Sequence, residues 1–198
     1  MRPDGAGADA REVLRRMPAA GDGQRALRDR FVAHLDAHPD GVLRTCRPDH
    51  VTASTVVLSA DASRVLLTLH AKAGRWFQLG GHLEPGDATL AGAARREAVE
   101  ESGLEVDLDP VPVHLDEHAV PFCGPDGEAH HLDVRFVAVA PDGARHAVSD
   151  ESLDVRWWPV DDLPNPDLAA PVALAVARVR AGAVGRVRAG HDAVRASR

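Results

Sequence analysis

Three glutamates near the middle of the chain have the residue type and the spacing of a metal site. Glu97, Glu100 and Glu101 stand at positions i, i+3 and i+4, and this spacing places three side chains on one face of an α-helix. Carboxylates this close repel one another, and a divalent cation bound among them would relieve the repulsion. Carboxylate oxygens with no Cys or His at ligand spacing suit Mg²⁺, or Mn²⁺ as a substitute, rather than Zn²⁺. The competing interpretation is a solvated acidic helix face, because short charged motifs recur by chance.

The sequence before the glutamates predicts a turn-rich loop that leads into their helix. Glycine and proline fill four of the positions from 80 to 86 and favour turns. Asp87 has the short carboxylate of a helix N-cap residue, and Gly103 suits the C-terminal end, where a positive φ angle is needed. The alanine-rich sequence between them favours helix. Arg96 is expected to neutralise part of the charge by pairing with Asp87 or Glu101.

In this segment the chain resembles the signature of the Nudix hydrolase family. That signature reads Gly, five residues, Glu, seven residues, Arg-Glu, an apolar residue, any residue, Glu-Glu, any residue, Gly and an apolar residue. Here Gly81 is followed by five residues and Asp87, then by eight residues and the run REAVEESGL, which begins at Arg96. The chain therefore has Asp in place of the first Glu and one extra residue before the arginine. Both departures lie outside the half of the motif that holds the metal.

The resemblance extends over about residues 50 to 182 and implies a fold and an activity. The implied fold is α/β, an α/β/α sandwich with a mixed β-sheet, to which this chain adds an N-terminal helical extension. The implied activity is Mg²⁺-dependent hydrolysis of a diphosphate linkage, either in a nucleoside diphosphate linked to another moiety or in a nucleoside triphosphate. The expected partner is a small nucleotide-type substrate, and a homodimer is a family-based expectation.

The resemblance also implies roles for individual residues. The three glutamates of the REx₂EE run correspond to metal ligands, with the backbone carbonyl of Gly80 as a further ligand. Glu100, Glu101 and Arg96 belong to the expected catalytic machinery, in which the arginine orients the loop against the helix. The general base is open between Glu101 and Glu151, which lies on the loop before the last predicted strand. The alternative for Glu151 is a solvated loop carboxylate.

Residues outside the motif are expected to select the substrate. His82, which directly follows the two glycines, is placed to contact a phosphate. Trp76, Phe77 and Phe122 are candidates to stack on a base or to cover a sugar. The alternative for these aromatic residues is a place in the core, because the chain has only four Phe, three Trp and no Tyr. An isolated histidine is likewise more often packed or solvated than a ligand.

Composition and charge exclude several classes of function. The formal net charge of −7 argues against a protein that coats nucleic acid, so no stable nucleic-acid complex is expected. Cys46 and Cys123 lie in no CxxC pair, so their spacing indicates neither a disulfide framework nor a zinc site. The N-terminus lacks the apolar run of a secretion signal, and no stretch reaches membrane-spanning length. The expected location is the cytoplasm, with no membrane partner.

We expect three parts: an N-terminal helical extension at 1–48, the domain that resembles the Nudix family at 49–182, and an Arg/Ala-rich tail at 183–198. The extension is expected to hold two helices, at 10–17 and 22–38, after a mobile start. Alternating apolar residues and turn signals predict strands at 52–59, 64–70, 76–79, 105–115 (interrupted by two prolines), 131–140 and 155–160. A helix at 167–181 is expected to cover one face of the sheet.

Two other functions fit the sequence less well. A non-catalytic, nucleotide-sensing regulator with the same fold would be expected to have an eroded motif or a DNA-binding segment, and neither is apparent. An isomerase for prenyl diphosphates would need a reactive cysteine near the site, and no motif supports one. The sequence therefore predicts a hydrolase for a diphosphate linked to X, and it leaves X open.

Overall fold

Seven strands of the described chain form a single mixed sheet, in a computed structural model that describes residues 4–71, 73–121, 123, 129–147, 152–182 and 184. The strands are β1 (His50–Leu58), β2 (Arg64–His70), β3 (Arg75–Phe77), β4 (Leu79–His82), β5 (Asp107–Ala119), β6 (His130–Val139) and β7 (Ser152–Pro159). The helices are α1 (Asp4–Arg16), α2 (Gly21–Ala37), α3 (Leu90–Ser102) and α4 (Ala169–Arg180), the last preceded by a 3-10 turn at Pro166–Leu168.

Strand β1 is the centre of the sheet, and all nine of its residues are buried. The main strand order is β3-β2-β1-β6-β5, with β4 paired to β1 and β7 paired to β2. The pairing of β1 with β6 is parallel, whereas the other pairings are antiparallel. A strand that is buried along its whole length needs cover on both faces, and helices on both sides of the sheet supply it. The predicted α/β/α sandwich with a mixed sheet is confirmed.

Helices α1, α2 and α3 cover one face of the sheet. Leu14 of α1 and Phe31 of α2 are fully buried in one apolar cluster with Val51 of β1 and Phe136 of β6. The predicted N-terminal helices are confirmed, although α1 begins at Asp4, inside the segment that was expected to be mobile. Since these helices share an apolar core with the sheet, they form part of one layer of the sandwich.

Helix α4 covers one end of the opposite face. Val56 of β1 and Val137 of β6 pack in an apolar cluster with Val172 of α4. The predicted helix at 167–181 is therefore confirmed, with a 3-10 turn as its start. None of the described helices is long and apolar enough to cross a membrane. The predicted tail lies outside the described residues apart from Val184, which is buried.

One local prediction about the strands is wrong, and a second is confirmed in part. Gly80 and Gly81 belong to β4 and pair with Ser54 and Ala53 of β1, so these glycines lie in the sheet and not in a loop. Strand β5 is assigned without a break through its two prolines. Its register against β6 shifts between Asp109 and 114, and the prolines fall within this shift. Because β5 is an edge strand, a missing proline N–H costs no ladder bond on its outer side.

Candidate active site

Helix α3, which carries the three glutamates, begins two residues later than the sequence predicts. Its N-cap residue is Thr89, whose Oγ1 accepts a hydrogen bond of 3.0 Å from the N–H of Gly92. Asp87 was expected to be the N-cap, but its carboxylate instead accepts from the N–H of Glu84 at 2.8 Å and closes the preceding turn. The predicted C-terminal Gly103 is confirmed, with a φ of 67° that favours glycine.

Small residues let α3 lie close against the sheet. Ala93, Ala94 and Ala98 of α3 are completely buried. Thr55 of β1 donates through its Oγ1 to the carbonyl of Ala94 at 2.9 Å, so a polar bond joins helix and strand inside the core. The buried alanine stripe therefore determines which helix face meets the sheet, and the glutamates occupy positions beside it.

Arg96 is the centre of the charged contacts at the start of α3. Its Nε and one terminal nitrogen donate to the two oxygens of Asp87 at 3.2 and 2.9 Å, which is a forked arrangement. The same terminal nitrogen donates to the backbone carbonyl of His82 at 3.0 Å. The other donates to Glu97 at 3.1 Å and to Glu100 at 2.9 Å. The expected pairing of Arg96 with Asp87 is thus present, and the arginine ties the loop to two of the three glutamates.

The electrostatics of this contact favour the charged forms of both partners. Burial alone would raise the pKa of Asp87, but the bonds from Arg96 and from the N–H of Glu84 outweigh it and hold the pKa below its ordinary value. The Asp87 carboxylate and the charges of Glu97 and Glu100 raise the pKa of Arg96. The shorter Asp87, where the family signature has Glu, therefore still makes the ion pair.

The glycine pair of β4 brings the backbone against the glutamates of α3. The N–H of Gly80 donates to Oε2 of Glu101 at 3.1 Å. A Cβ atom on Gly81 would lie 2.9 Å from the carboxylate of Glu97, closer than a side chain tolerates. Two adjacent glycines of β4 thus lie against Glu101 and Glu97, and Arg96 contacts Glu97 and Glu100. Carboxylate oxygens are the donor type that Mg²⁺ or Mn²⁺ prefers.

On the sheet face that α4 partly covers, a row of polar side chains lines the part that lies beyond α4, which we call the polar face. Thr52 and Ser54 of β1 donate to the carboxylate of Asp133 at 3.1 and 2.8 Å. Arg135 donates to the same carboxylate at 2.9 Å, and Gln78 donates to it at 3.1 Å. These five residues are buried, and strand register places the first four on one side of the sheet with Gly80 and His82.

Residues 48–178 match the model of the NUDIX domain. The chain belongs to the Nudix hydrolase family. An oxidized purine nucleoside triphosphate hydrolase from Mus musculus is 33% identical over 119 residues, which are 58% of this chain and 70% of that protein. A protein of the same description from Danio rerio is 34% identical over 114 residues, which are 56% of this chain and 67% of that protein.

Solved structures support the Nudix fold independently. The crystal structure of a NUDIX-family hydrolase from Clostridium perfringens superposes with a TM-score of 0.54 at 24% identity. The superposition covers 66% of this chain and 97% of that one. At this level of identity the likeness concerns the fold.

The predicted substrate-binding aromatic residues of this Nudix protein that the structure describes pack against other rings. The ring of Trp76 packs against Trp158 with a centroid separation of 5.4 Å, in the apolar cluster under α4. Phe77 has its ring edge-to-face with His70 at 6.2 Å, next to β2. These contacts agree with the alternative of a packing role for both aromatic residues. Phe122 and Glu151 lie outside the described residues.

His82 is surrounded by other polar rings. Its ring stacks on His50 at a centroid separation of 5.1 Å and meets His131 edge-to-face at 4.9 Å. Burial, followed by the neighbouring His50 and Arg44, lowers the pKa of His82 to about 4. Burial, followed by the adjacent imidazoles, lowers the pKa of His131 to about 2. Both rings are therefore neutral near pH 7.

The polar face is not predicted by the sequence, although one signal for it is present. Asp133 and Arg135 alternate with the apolar residues 132, 134 and 136 along β6. A solvated face gives the same alternation as a buried polar one, so the pattern alone does not distinguish them. The buried hydroxyls at 52 and 54 come from β1, and the amide at 78 comes from the residue between β3 and β4. Only the pairing of β1, β4 and β6 brings them together.

Proposed function

We propose that this Nudix protein is a Mg²⁺-dependent pyrophosphohydrolase whose substrate is a purine nucleoside triphosphate with an oxidised base. The observation that carries the hydrolytic part is the contact of Gly80 with Glu101 and the close approach of Gly81 to Glu97, beside the Arg96–Asp87 ion pair. The descriptions of the two curated relatives, at 33% and 34% identity, support the choice of substrate. A nucleoside diphosphate linked to another moiety is the alternative substrate class.

Each charged residue of the cluster has a proposed task. Glu97, Glu100, Glu101 and the carbonyl of Gly80 would hold the cation. When bound, Mg²⁺ would offset the negative charge of the phosphate oxygens. Arg96 keeps the loop against α3 through its five contacts, so that the oxygen donors stay in place before substrate arrives.

A carboxylate of the chain would take the proton from the attacking water, and two residues are candidates. Glu101 belongs to the described cluster, whereas Glu151 follows from the family resemblance. The pH dependence of kcat distinguishes them. Glu101→Gln and Glu151→Gln should be compared, and the substitution that removes the acidic limb of the profile identifies the replaced glutamate as the base.

The polar face is the proposed recognition surface for the base of the nucleotide. Its groups include a carboxylate at Asp133, a guanidinium at Arg135 and an amide at Gln78, which are buried and bond to one another, so both donors and acceptors lie along this face. A purine edge likewise carries both donors and acceptors. His82 remains a predicted phosphate contact, since it shares the face with Gly80. Trp76, Phe77 and Phe122 remain predictions for the walls of the substrate site.

A substrate panel tests the proposed function. The purified chain would be incubated with ordinary and oxidised nucleoside triphosphates, ADP-ribose, dinucleoside polyphosphates and sugar nucleotides, with Mg²⁺ or Mn²⁺ and with EDTA as control. We expect metal-dependent release of pyrophosphate, fastest from an oxidised purine nucleoside triphosphate. Fastest turnover of a linked nucleoside diphosphate would select the alternative class. Nucleotide binding by thermal shift without any turnover would instead favour the non-catalytic, nucleotide-sensing function.

A further inference from the structure

Three imidazoles and one thiol converge at the end of the polar face, where β1 and β6 begin. We call His50, His82, Cys123 and His131 the histidine–cysteine cluster. A potential ligand atom of each residue lies within 4.8 Å of those of the other three. The members come from four places along the chain: the first residue of β1, the last of β4, the segment after β5 and the second residue of β6.

The distances within the cluster match those between ligands of one tetrahedral ion. Sγ of Cys123 lies 3.8 Å from Nε2 of His50 and 3.8 Å from Nε2 of His82. With Zn–S of about 2.3 Å and Zn–N of about 2.0–2.1 Å, tetrahedral sulfur and nitrogen ligands lie about 3.6 Å apart. Only a small closing movement would therefore bring these atoms to bonding geometry.

An unsatisfied atom in the cluster points to a missing ligand. Nε2 of His131 is shielded from solvent and has no hydrogen-bond partner among the described residues. A buried polar nitrogen without a partner is costly, and such atoms need a specific explanation. The rings of His50 and His82 lie 5.0 and 4.9 Å from that of His131. Packing alone would leave that nitrogen unpaired, whereas a shared cation would satisfy it.

We propose that His50, His82, Cys123 and His131 bind one Zn²⁺ ion as a structural site, separate from the carboxylate site for Mg²⁺. Three imidazole nitrogens and a thiolate are ligands of zinc, whereas Mg²⁺ takes oxygen. Four protein ligands leave no coordination position for water or substrate, and this is typical of structural zinc. Cys123 is fixed for this role, since its carbonyl accepts from Arg47 at 2.9 Å and its N–H donates to Val120 at 2.9 Å.

The zinc would anchor the segment that positions the hydrolytic site. His82 follows Gly80 and Gly81 directly, and its backbone carbonyl accepts the bond from Arg96. Zinc would therefore hold the end of β4 to the first residues of β1 and β6, next to the glycines that face the glutamates. This assignment limits the predicted contact of His82 with phosphate to Nδ1, because Nε2, which faces Cys123, would be bound to zinc.

The metal content of the purified chain tests the proposal directly. Protein expressed with added zinc would be desalted by gel filtration and analysed by mass spectrometry for metals. We expect about one zinc per chain in the wild type and a loss of most of it in Cys123→Ser. Cys46→Ser is the matched control, because Cys46 belongs to a second group, with His38 and Asp40, that could also collect metal. Glu100→Gln should retain the zinc.

Cobalt substitution gives a readout that does not depend on the folding of a variant. The metal-free wild type would be titrated with Co²⁺ in excess Mg²⁺, which keeps the carboxylate site occupied. We expect a sulfur-to-cobalt charge-transfer band and the intense visible bands of tetrahedral cobalt, both displaced by one equivalent of Zn²⁺. Wild-type protein without zinc and without a sulfur-to-cobalt band would overturn the proposal. Zinc lost from Cys46→Ser but kept in Cys123→Ser would also overturn it.

Discussion

Oε2 of Glu101 accepts a hydrogen bond of 3.1 Å from the backbone N–H of Gly80, which joins the last turn of α3 to strand β4. Gly80 pairs with Ser54 of the central strand, so this bond connects a glutamate of the motif to the most buried part of the sheet. The position of Glu101 is therefore determined by the backbone as well as by the helix.

Replacement of Glu101 by Gln should abolish most of the activity and leave the fold intact. The amide keeps the shape of the side chain and an oxygen for the Gly80 bond, but it removes the negative charge that a divalent cation needs. We expect kcat to fall by about two orders of magnitude or more, with an unchanged far-UV circular dichroism spectrum. Glu100→Gln should behave similarly. Full activity in both variants would contradict the assignment of the metal site.

The two glycines of β4 should respond differently to alanine. A Cβ on Gly80 would lie 2.3 Å from Cβ of Ser54, and the φ of 153° disfavours any side chain there. Gly80→Ala should therefore lower the free energy of unfolding by about 1–3 kcal/mol or more. In Gly81→Ala the clash is with the Glu97 carboxylate at 2.9 Å, the movable end of a side chain. That variant should remain folded and lose activity, as measured by urea unfolding and turnover.

An equal loss of stability in both glycine variants would contradict this distinction. Gly86→Ala is the control, because a Cβ there would meet no atom within 4 Å. It should keep both the stability and most of the activity of the wild type.

The motif could be predicted from the sequence because its chemistry is local. The spacing of the glutamates determines that they share a helix face, and Gly103 ends α3 as expected. The beginning of α3 could not be predicted as well, because Asp87 and Thr89 are both good N-cap residues. Tertiary structure decides between them, since Arg96 and the N–H of Glu84 engage Asp87.

The polar face and the histidine–cysteine cluster could not be predicted, because their members meet only through strand pairing. His50 and His131 are 81 positions apart, and the parallel register of β1 and β6 sets them side by side. Cys123 lies in no short metal-binding motif, and the expectation of no zinc site followed from that. Ligand spacing along a chain reveals a metal site when one loop or helix supplies the ligands, whereas here four separate segments supply them.

The stability of the metal-free protein should decrease as the pH falls below about 6.5, the ordinary value for histidine, partly because of His114. Burial, followed by the charge of Arg135, lowers the pKa of His114, while Asp116 and Asp133 oppose this shift. Below the ordinary pKa of histidine, the unfolded chain binds a proton at this residue that the folded chain does not bind. The free energy of unfolding therefore decreases as the pH falls. The fall should continue until the lowered pKa of the folded state is reached.

His114→Gln tests this origin of the pH dependence. Urea unfolding of wild type and variant would be compared between about pH 7 and about pH 5. The variant should lose less stability over this interval, because the slope of its free energy of unfolding against pH is smaller by the equivalent of up to one proton. His146→Gln is the control for the same chemical change at another histidine. Parallel curves for wild type and His114→Gln would contradict the prediction.

The N-terminal helices should contribute to global stability, since they share the core of the sheet. Phe31 of α2 is fully buried with Leu14, Val51 and Phe136. Truncation of a buried Phe to Ala typically costs about 3–5 kcal/mol, so Phe31→Ala should lower the urea midpoint with a single transition. Leu153→Ala is the control, because that leucine is 63% exposed. A second, separate unfolding transition would instead support residues 1–48 as an independent extension.

The ion pair of Arg96 with Asp87 should act as one unit in catalysis. Arg96→Lys keeps the charge but loses the planar fork that contacts both oxygens of Asp87. Replacing a residue that orients a metal site typically lowers activity about 10- to 100-fold. We expect this loss in kcat/KM for Arg96→Lys and for Asp87→Asn. Because each change breaks the same contact, the double variant should lose little more than the worse single variant. Effects that multiply in the double variant would show that the two residues act separately, and that Arg96 acts chiefly through Glu97 and Glu100.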